Sequence, residues 1–175
     1  TSMFSNIDKY KNIKEVKNSF IFVGRIVKEK GVEELIKAFS GVAKKYPDAE
    51  LNMYGDGEDF EKYKELALDN KRIYFHGGTN DPLGAIAKNE IFVLPSYREG
   101  LSLSLLDAVM MRKKVIASAV DGNLEVIING KNGLLVPAKN VGKLADAMVY
   151  MLEDGKRAEE MAKNARQYYK EGAGA

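Results

Sequence analysis

The sequence predicts an α/β protein built on an open, doubly wound parallel sheet, and three observations carry that prediction. Short continuous apolar runs recur along the chain and stop at glycine or polar residues, as at Ser19-Phe20-Ile21-Phe22-Val23 before Gly24. Uninterrupted runs of this length suit strands buried on both faces. Between the runs lie segments whose apolar residues return with a period of about 3.6 positions, the mark of helices with one buried stripe. Strands alternating with helices in this way build βαβ units with right-handed crossovers. Glycine, charged and hydroxyl residues gather just after the strands, where ligands bind in such sheets. The βα turns also need glycine for geometric reasons alone.

Taken in order, residues 3–17 are polar and rich in Asn and Lys, so residues 1–18 are expected to lead into the fold. Strands are expected at 19–23, 49–54, 72–75, 90–94 and 114–119, with a short one at 133–136. A helix follows the first strand, with Val32, Leu35, Ile36, Phe39, Val42 and Ala43 on one face. A second carries Phe60, Tyr63, Leu66 and Ala67, and a third carries Leu103, Leu106, Ala108 and Val109. Two more are expected at 141–152 and 156–169, with Tyr168 and Tyr169 packing at the end of the last. Residues 19–171 read as one domain, and residues 172–175, Gly-Ala-Gly-Ala, as a loose tail.

Composition narrows the chemistry. The 175 residues contain no cysteine, which removes disulfides and thiolate metal sites, and a single histidine, His76, removes any multi-histidine site. The formal charge is +2 and the cations are dispersed, so no nucleic-acid stripe is present. The densest basic group, Arg112-Lys113-Lys114, reads as a solvated helix end. No apolar run reaches the ~18 residues of a membrane span, and a cytoplasmic location is expected.

Two segments could carry chemistry. In Gly24 to Gly31 a strand ends, Gly24 permits close backbone approach, and Arg25 and Lys30 stand five positions apart before a helix. Cations beside a helix N-terminus favour an anion; a lysine-rich surface loop is the alternative reading. In Ser96 to Ala108, Glu99 precedes an apolar helix and Asp107 lies within it. Ser102 can cap that helix, with Leu101 and Leu105 or Leu106 as a staple. An aspartate after Leu105-Leu106 should sit near the buried side and needs a partner.

Four stretches then occur in order: Phe22-Val23-Gly24-Arg25 with Lys30-Gly31; Tyr54-Gly55-Asp56-Gly57; Pro95-Ser96 with Glu99-Gly100; and Asn132-Gly133-Leu134-Leu135-Val136-Pro137. Together they resemble the C-terminal domain of the retaining glycosyltransferases with two facing Rossmann-like domains, the GT-B fold, family GT4. The resemblance runs from about Phe20 to Tyr168. It implies that this Rossmann-like domain binds the donor, a nucleoside diphosphate sugar with UDP favoured over GDP, for transfer with retention. Arg25 and Lys30 then match the pair that holds the diphosphate. Glu99 matches the first acid of the E-x7-E motif, the catalytic position beside the sugar hydroxyls. Asp107 matches the second acid, which binds ribose, and departs from the usual Glu by one methylene. Gly24 and the backbone at Gly100, Leu101, Ser102 and Leu103 are expected to meet sugar and phosphate, and Phe75, His76 and Gly77 to lie near the base.

The resemblance also implies an N-terminal acceptor-binding domain, which these residues do not accommodate. The isolated chain is therefore expected to bind donor without transferring it. No metal or other cofactor is implied, because cations can neutralise the diphosphate and no Asp-x-Asp pair appears. The acceptor is expected to be a glycan or lipid-linked sugar, as in bacterial surface polysaccharide synthesis, with the full-length enzyme peripheral at the inner membrane face. Two other readings remain open: a non-catalytic nucleotide-binding module, and a nucleotide-sugar epimerase domain. His76 can be read equally as a nucleotide contact or as a loop-lining residue. Asn123 is expected to cap a short helix, and Glu125 to be an acid in its first turn.

Overall fold

The structure is a computed structural model that describes residues 7–173, with side chains described as far as residue 164. Its strands are β1 (Val16–Val23), β2 (Glu50–Tyr54), β3 (Ile73–Gly77), β4 (Asn89–Leu94), β5 (Lys114–Ser118) and β6 (Leu134–Val136). They form one sheet in the order β3-β2-β1-β4-β5-β6, and every pairing is parallel. Phe20, Ile21 and Phe22 of β1 and Ile91, Phe92 and Val93 of β4 are all buried. Both faces of the central strands are therefore covered, and this is why those runs are apolar without alternation.

The helices are α1 (Val32–Lys45), α2 (Phe60–Leu66), α3 (Pro82–Lys88), α4 (Leu103–Met110), α5 (Asp121–Leu124), α6 (Val141–Glu153) and α7 (Gly155–Ala173). On α1, Val32, Leu35, Ile36, Phe39 and Val42 are buried. The ring of Phe39 meets Phe20 edge-on at 6.0 Å between centroids. Burial of one such side chain contributes about 1.5–3 kcal/mol. Glu33 and Glu34 in the first turn and Lys44 and Lys45 in the last complement the helix dipole.

The structure departs from the sequence expectation in several places. Strand β1 starts at Val16, inside the expected leader, because its first residues are solvent-facing and carry no apolar signal. Ile7 is also buried in the core; residues 1–6 of that leader lie outside the described residues. Strand β3 runs through His76 and Gly77, which were expected to follow it. Helix α3 was not foreseen, since its short Gly- and Ala-rich stretch has little bulk to show a period. Its start was nevertheless signalled by Asp81, which caps Gly84 N–H at 3.0 Å, and by Pro82 in the first turn. The backbone of α7 continues through Gly172 into the expected tail; Gly174 and Ala175, like the side chains of Tyr168 and Tyr169, lie outside what is described.

The basic cluster is not a solvated helix end. Lys113 is buried, and its Nζ donates to Glu15 Oε1 at 2.6 Å and to the Ala87 carbonyl at 2.8 Å. Lys114 pairs with Glu90 at 3.6 Å. Only Arg112 is exposed, at φ 58° in the left-handed turn that ends α4. The cluster thus ties β5 to β4 and to the segment before β1.

The sheet order reverses between β1 and β4. In an open α/β sheet that reversal leaves a crevice beyond the carboxyl ends of the two strands. The segments 24–31 and 95–102 leave from those ends.

Candidate functional site

The loops beyond the strands are packed on one another through backbone. Gly24 N–H donates to the Tyr54 carbonyl at 3.1 Å, Ile26 N–H to Asp56 at 3.0 Å, and Gly55 N–H to Gly77 at 2.7 Å. Gly31 ends the single 3-10 turn Lys28–Lys30 in a left-handed conformation, φ 72°, and begins α1. A side chain there would overlap the carbonyl of Pro95. Across the same seam, Tyr97 N–H donates to the Glu29 carbonyl at 2.8 Å. These contacts dock the β1–α1 loop on the β4–α4 loop.

That docking brings Lys30 to Glu99. The Lys30 ammonium donates to both carboxylate oxygens, at 3.0 and 3.1 Å. The two side chains are 26% and 11% exposed, so the pair is sheltered on the acid's side and reachable from the lysine's. Arg25 is exposed, and its guanidinium makes no hydrogen bond or ion pair among the described residues. An open cleft of about 610 Å³ lies beside Glu99, lined by Tyr97, Arg98, Glu99, Gly100, Ala119, Val120 and Asp121.

Helix α4 starts at this cleft. Ser102 caps it, its Oγ accepting from Leu105 N–H at 3.1 Å, as the sequence predicted. The amides of Leu103 and Ser104 find no acceptor among the described residues, so the helix offers donors at its positive end. The expected staple does not form: Leu101 is 62% exposed, while Leu105 and Leu106 are buried. Leu103 also faces solvent. Asp107 lies one to two turns along, half-buried, and its carboxylate has no protein partner among the described residues. Burial holds it above the ordinary aspartate range.

The end of β3 divides its residues between the two faces of the sheet. Phe75 packs edge-on against Phe60, with centroids 5.7 Å apart, and serves packing on that face. His76 lies flat on Tyr54, with centroids 4.3 Å apart and planes 7° apart. His76 Nε2 lies 2.8 Å from Asn52 Oδ1, while Asn52 Nδ2 donates to Asn89 Oδ1 at 2.9 Å. Asn52 Oδ1 is therefore the acceptor, and His76 carries its proton on Nε2. Loss of solvent pushes the imidazole below the usual histidine range, with Glu50 opposing. Gly77, at φ 77°, joins the Gly55 loop. Phe75 and His76 thus do not converge on one spot, and only Gly77 reaches the loop cluster through its backbone.

Asn123 is no cap. Helix α5 begins after Val120, and Asn123 is fully buried inside it, with Nδ2 donating to the Ser118 carbonyl at 3.0 Å. Glu125 is exposed and does not line the cleft, whereas Asp121, which sequence reasoning passed over, does. Tyr97 was missed as well. Its hydroxyl meets Glu34 at 2.6 Å, Lys139 sits 4.7 Å above its ring, and burial with the Glu34 carboxylate raises its phenol well above the usual range. The signal for both residues was their place directly after β4 and β5.

The sequence matches the family described as "Glycosyl transferases group 1" over residues 3–168. The chain belongs to the group 1 glycosyltransferases. An uncharacterised glycosyltransferase of Methanocaldococcus jannaschii is 34% identical to it over 170 residues, covering 94% of this chain and 42% of the relative. The chain therefore spans less than half the length of that relative. Among solved structures, the C-terminal domain of a glycosyl transferase group 1 family protein from Francisella tularensis superposes with a TM-score of 0.78 at 27% identity, covering 98% of this chain and 93% of that one. TarM of S. aureus, solved with UDP and α-GlcNAc-glycerol, superposes with a TM-score of 0.85 at 24% identity, covering 91% of this chain and 33% of TarM. This glycosyltransferase domain thus has the Rossmann-like architecture of one half of a GT-B enzyme, as the sequence predicted.

Proposed function

We propose that this glycosyltransferase domain binds a nucleoside diphosphate sugar, with UDP as the nucleotide, and presents the sugar for transfer with retention to a glycan or lipid-linked acceptor. The observation that carries the reading is the meeting of Lys30 with Glu99 at the sheet's switch point, beside α4 amides that have no acceptor among the described residues. A diphosphate needs cations and N–H donors, and a sugar needs a carboxylate to accept its hydroxyls. In this reading Arg25 and Lys30 neutralise the diphosphate as it leaves, without a metal cofactor, which is electrostatic stabilisation of developing charge. Glu99 turns from Lys30 to the sugar and is the catalytic acid of this half. Asp107 accepts from the ribose. Gly24, Gly100 and the amides of Leu103 and Ser104 line the phosphates, and Gly77 with the Tyr54–His76 stack borders the base. The UDP in the TarM crystal supports the choice of nucleotide.

Transfer also requires water to be excluded and an acceptor to be held in line. We propose that further chain, of the kind that makes the M. jannaschii relative longer, supplies that wall. The test is calorimetric titration of this domain with UDP, GDP and ADP, followed by an assay for transfer. UDP binding tighter than the other two, with no transfer, is expected. Absence of nucleotide binding, or steady transfer by this chain alone, contradicts the proposal.

A further inference from the structure

We infer that Gly122 and Asn123, at the start of α5, are positioning residues for Glu99; the inference rests on the donor-binding reading of that acid. Neither residue touches the proposed ligand groups. Gly122 acts directly on the backbone that carries Glu99, and Asn123 acts on it through Ser118.

Gly122 N–H donates to the Glu99 carbonyl at 2.9 Å. A side chain at 122 would overlap the carbonyl of Gly100 and crowd that of Glu99. Space, not backbone conformation, demands glycine here. Asn123 works one layer deeper. Its Nδ2 donates to the Ser118 carbonyl at 3.0 Å, and Ser118 Oγ donates to the Ser96 carbonyl at 2.5 Å. Ser96, Ser118, Gly122 and Asn123 are all buried. The end of β5 and the turn after it therefore grip the 95–102 loop at two carbonyls, Ser96 near its start through Ser118 and Glu99 at the acid itself through Gly122.

The consequence is geometric. Glu99 stands between an ion pair on one side and an open cleft on the other. A shift of about 1 Å in its backbone would carry the carboxylate off either partner, and a misplacement of that size costs about 100-fold in a working site. Asp121 lines the same cleft and belongs to the same turn, so the part that fixes Glu99 also shapes the opposite wall.

The experiment compares Gly122→Ala and Ser118→Ala with the parent and with Met148→Ala, a buried change in α6 away from the loop. Affinities for UDP, UDP-glucose and UDP-N-acetylglucosamine are measured by calorimetry, and the Lys30–Glu99 contact is read from crystal structures. In Gly122→Ala, UDP should weaken by less than about 10-fold, the part due to the displaced Gly100 beside the phosphates. The affinity gained by adding the parent's preferred sugar should fall about 10-fold, and Glu99 should lie beyond 4 Å, roughly the ion-pair limit, from Lys30. Met148→Ala should move neither quantity. Retention of both the sugar preference and the contact in Gly122→Ala overturns the inference, as does an equal loss in Met148→Ala. If Gly122→Ala does not fold, Ser118→Ala decides, with a shift in the same direction expected and an unchanged sugar preference and contact overturning it. If the parent binds none of the three ligands, the donor-binding reading fails, and the Lys30–Glu99 contact in the variants still decides whether Gly122 and the Asn123–Ser118 link position the acid.

Discussion

Lys30 and Glu99, 69 positions apart in the chain, form a bidentate ion pair in which each, on the proposed donor-binding reading, holds the group the other gives to the ligand. The pair keeps a sheltered carboxylate compensated, since an unpaired charge at that depth is costly. Glu99→Gln removes the competitor for the Lys30 ammonium. UDP should therefore bind at least as tightly to this variant as to the parent, while the added affinity for a UDP-sugar is lost. Titration with UDP and UDP-glucose measures both, and weaker UDP binding in Glu99→Gln would mean that the acid accepts from the nucleoside or holds Lys30 in place for the phosphates.

Arg25 has no protein partner among the described residues and is exposed, so its charge contributes little to the fold. Arg25→Ala should leave stability within about 0.5 kcal/mol. It should weaken UDP by about 1.5–3 kcal/mol, the range for a hydrogen bond to a charged group, and leave uridine binding unchanged. Thermal melts and titration with UDP and uridine test this, and full UDP affinity in the variant would return the loop to plain surface.

Asp107 should show a trade between stability and binding. Its folded-state value lies above the ordinary one because burial disfavours the ionised form. The folded state thus binds its proton more tightly than the unfolded chain, so stability falls as pH rises from the ordinary value through the raised one. The penalty is fully present only above the raised value. Asp107→Asn should therefore melt higher than the parent at pH 7 and lose that advantage below pH ~3.5, where both states are protonated. The same variant should bind UDP about 1.5–3 kcal/mol more weakly, and Asp107→Glu should retain UDP. Melts that show no gain at pH 7, or an unchanged UDP affinity, count against this role.

His76 carries the opposite sign. Its folded value is lowered, so the neutral ring favours the fold. That contribution is present above the ordinary value of about 6.5 and is lost as pH falls through the lowered value. An NMR titration should place the His76 midpoint below 6.5. Denaturant midpoints should fall between pH 7.5 and 5.5 in the parent, and fall less in His76→Gln. A midpoint at or above the ordinary value would mean that loss of solvent does not hold the ring neutral against the pull of Glu50.

The sheet was legible because buried parallel strands have no polar alternation to confuse. Phe20 to Val23 and Ile91 to Leu94 announce themselves by composition alone. The solvent-facing start of β1 at Val16 and the small residues of α3 do not, since periodicity needs bulk at buried positions. The candidate groups could be named from their place after the strands, but not joined. Nothing local says that Lys30 reaches Glu99, that Lys113 turns inward to Glu15, or that His76 and Phe75 part to opposite faces. Those facts depend on which loops the sheet order sets side by side.

The contacts made by Gly31 on Pro95, Gly55 on Gly24, Gly57 on Ile26 and Gly122 on Gly100 have a bearing on engineering. Each glycine belongs to one loop and is required by the backbone of another. A loop taken from a relative and grafted here would bring its own main-chain path but not the hollow that receives it. Exchange of specificity between such domains should thus succeed when the four loops travel as one block and fail when the 95–102 segment travels alone.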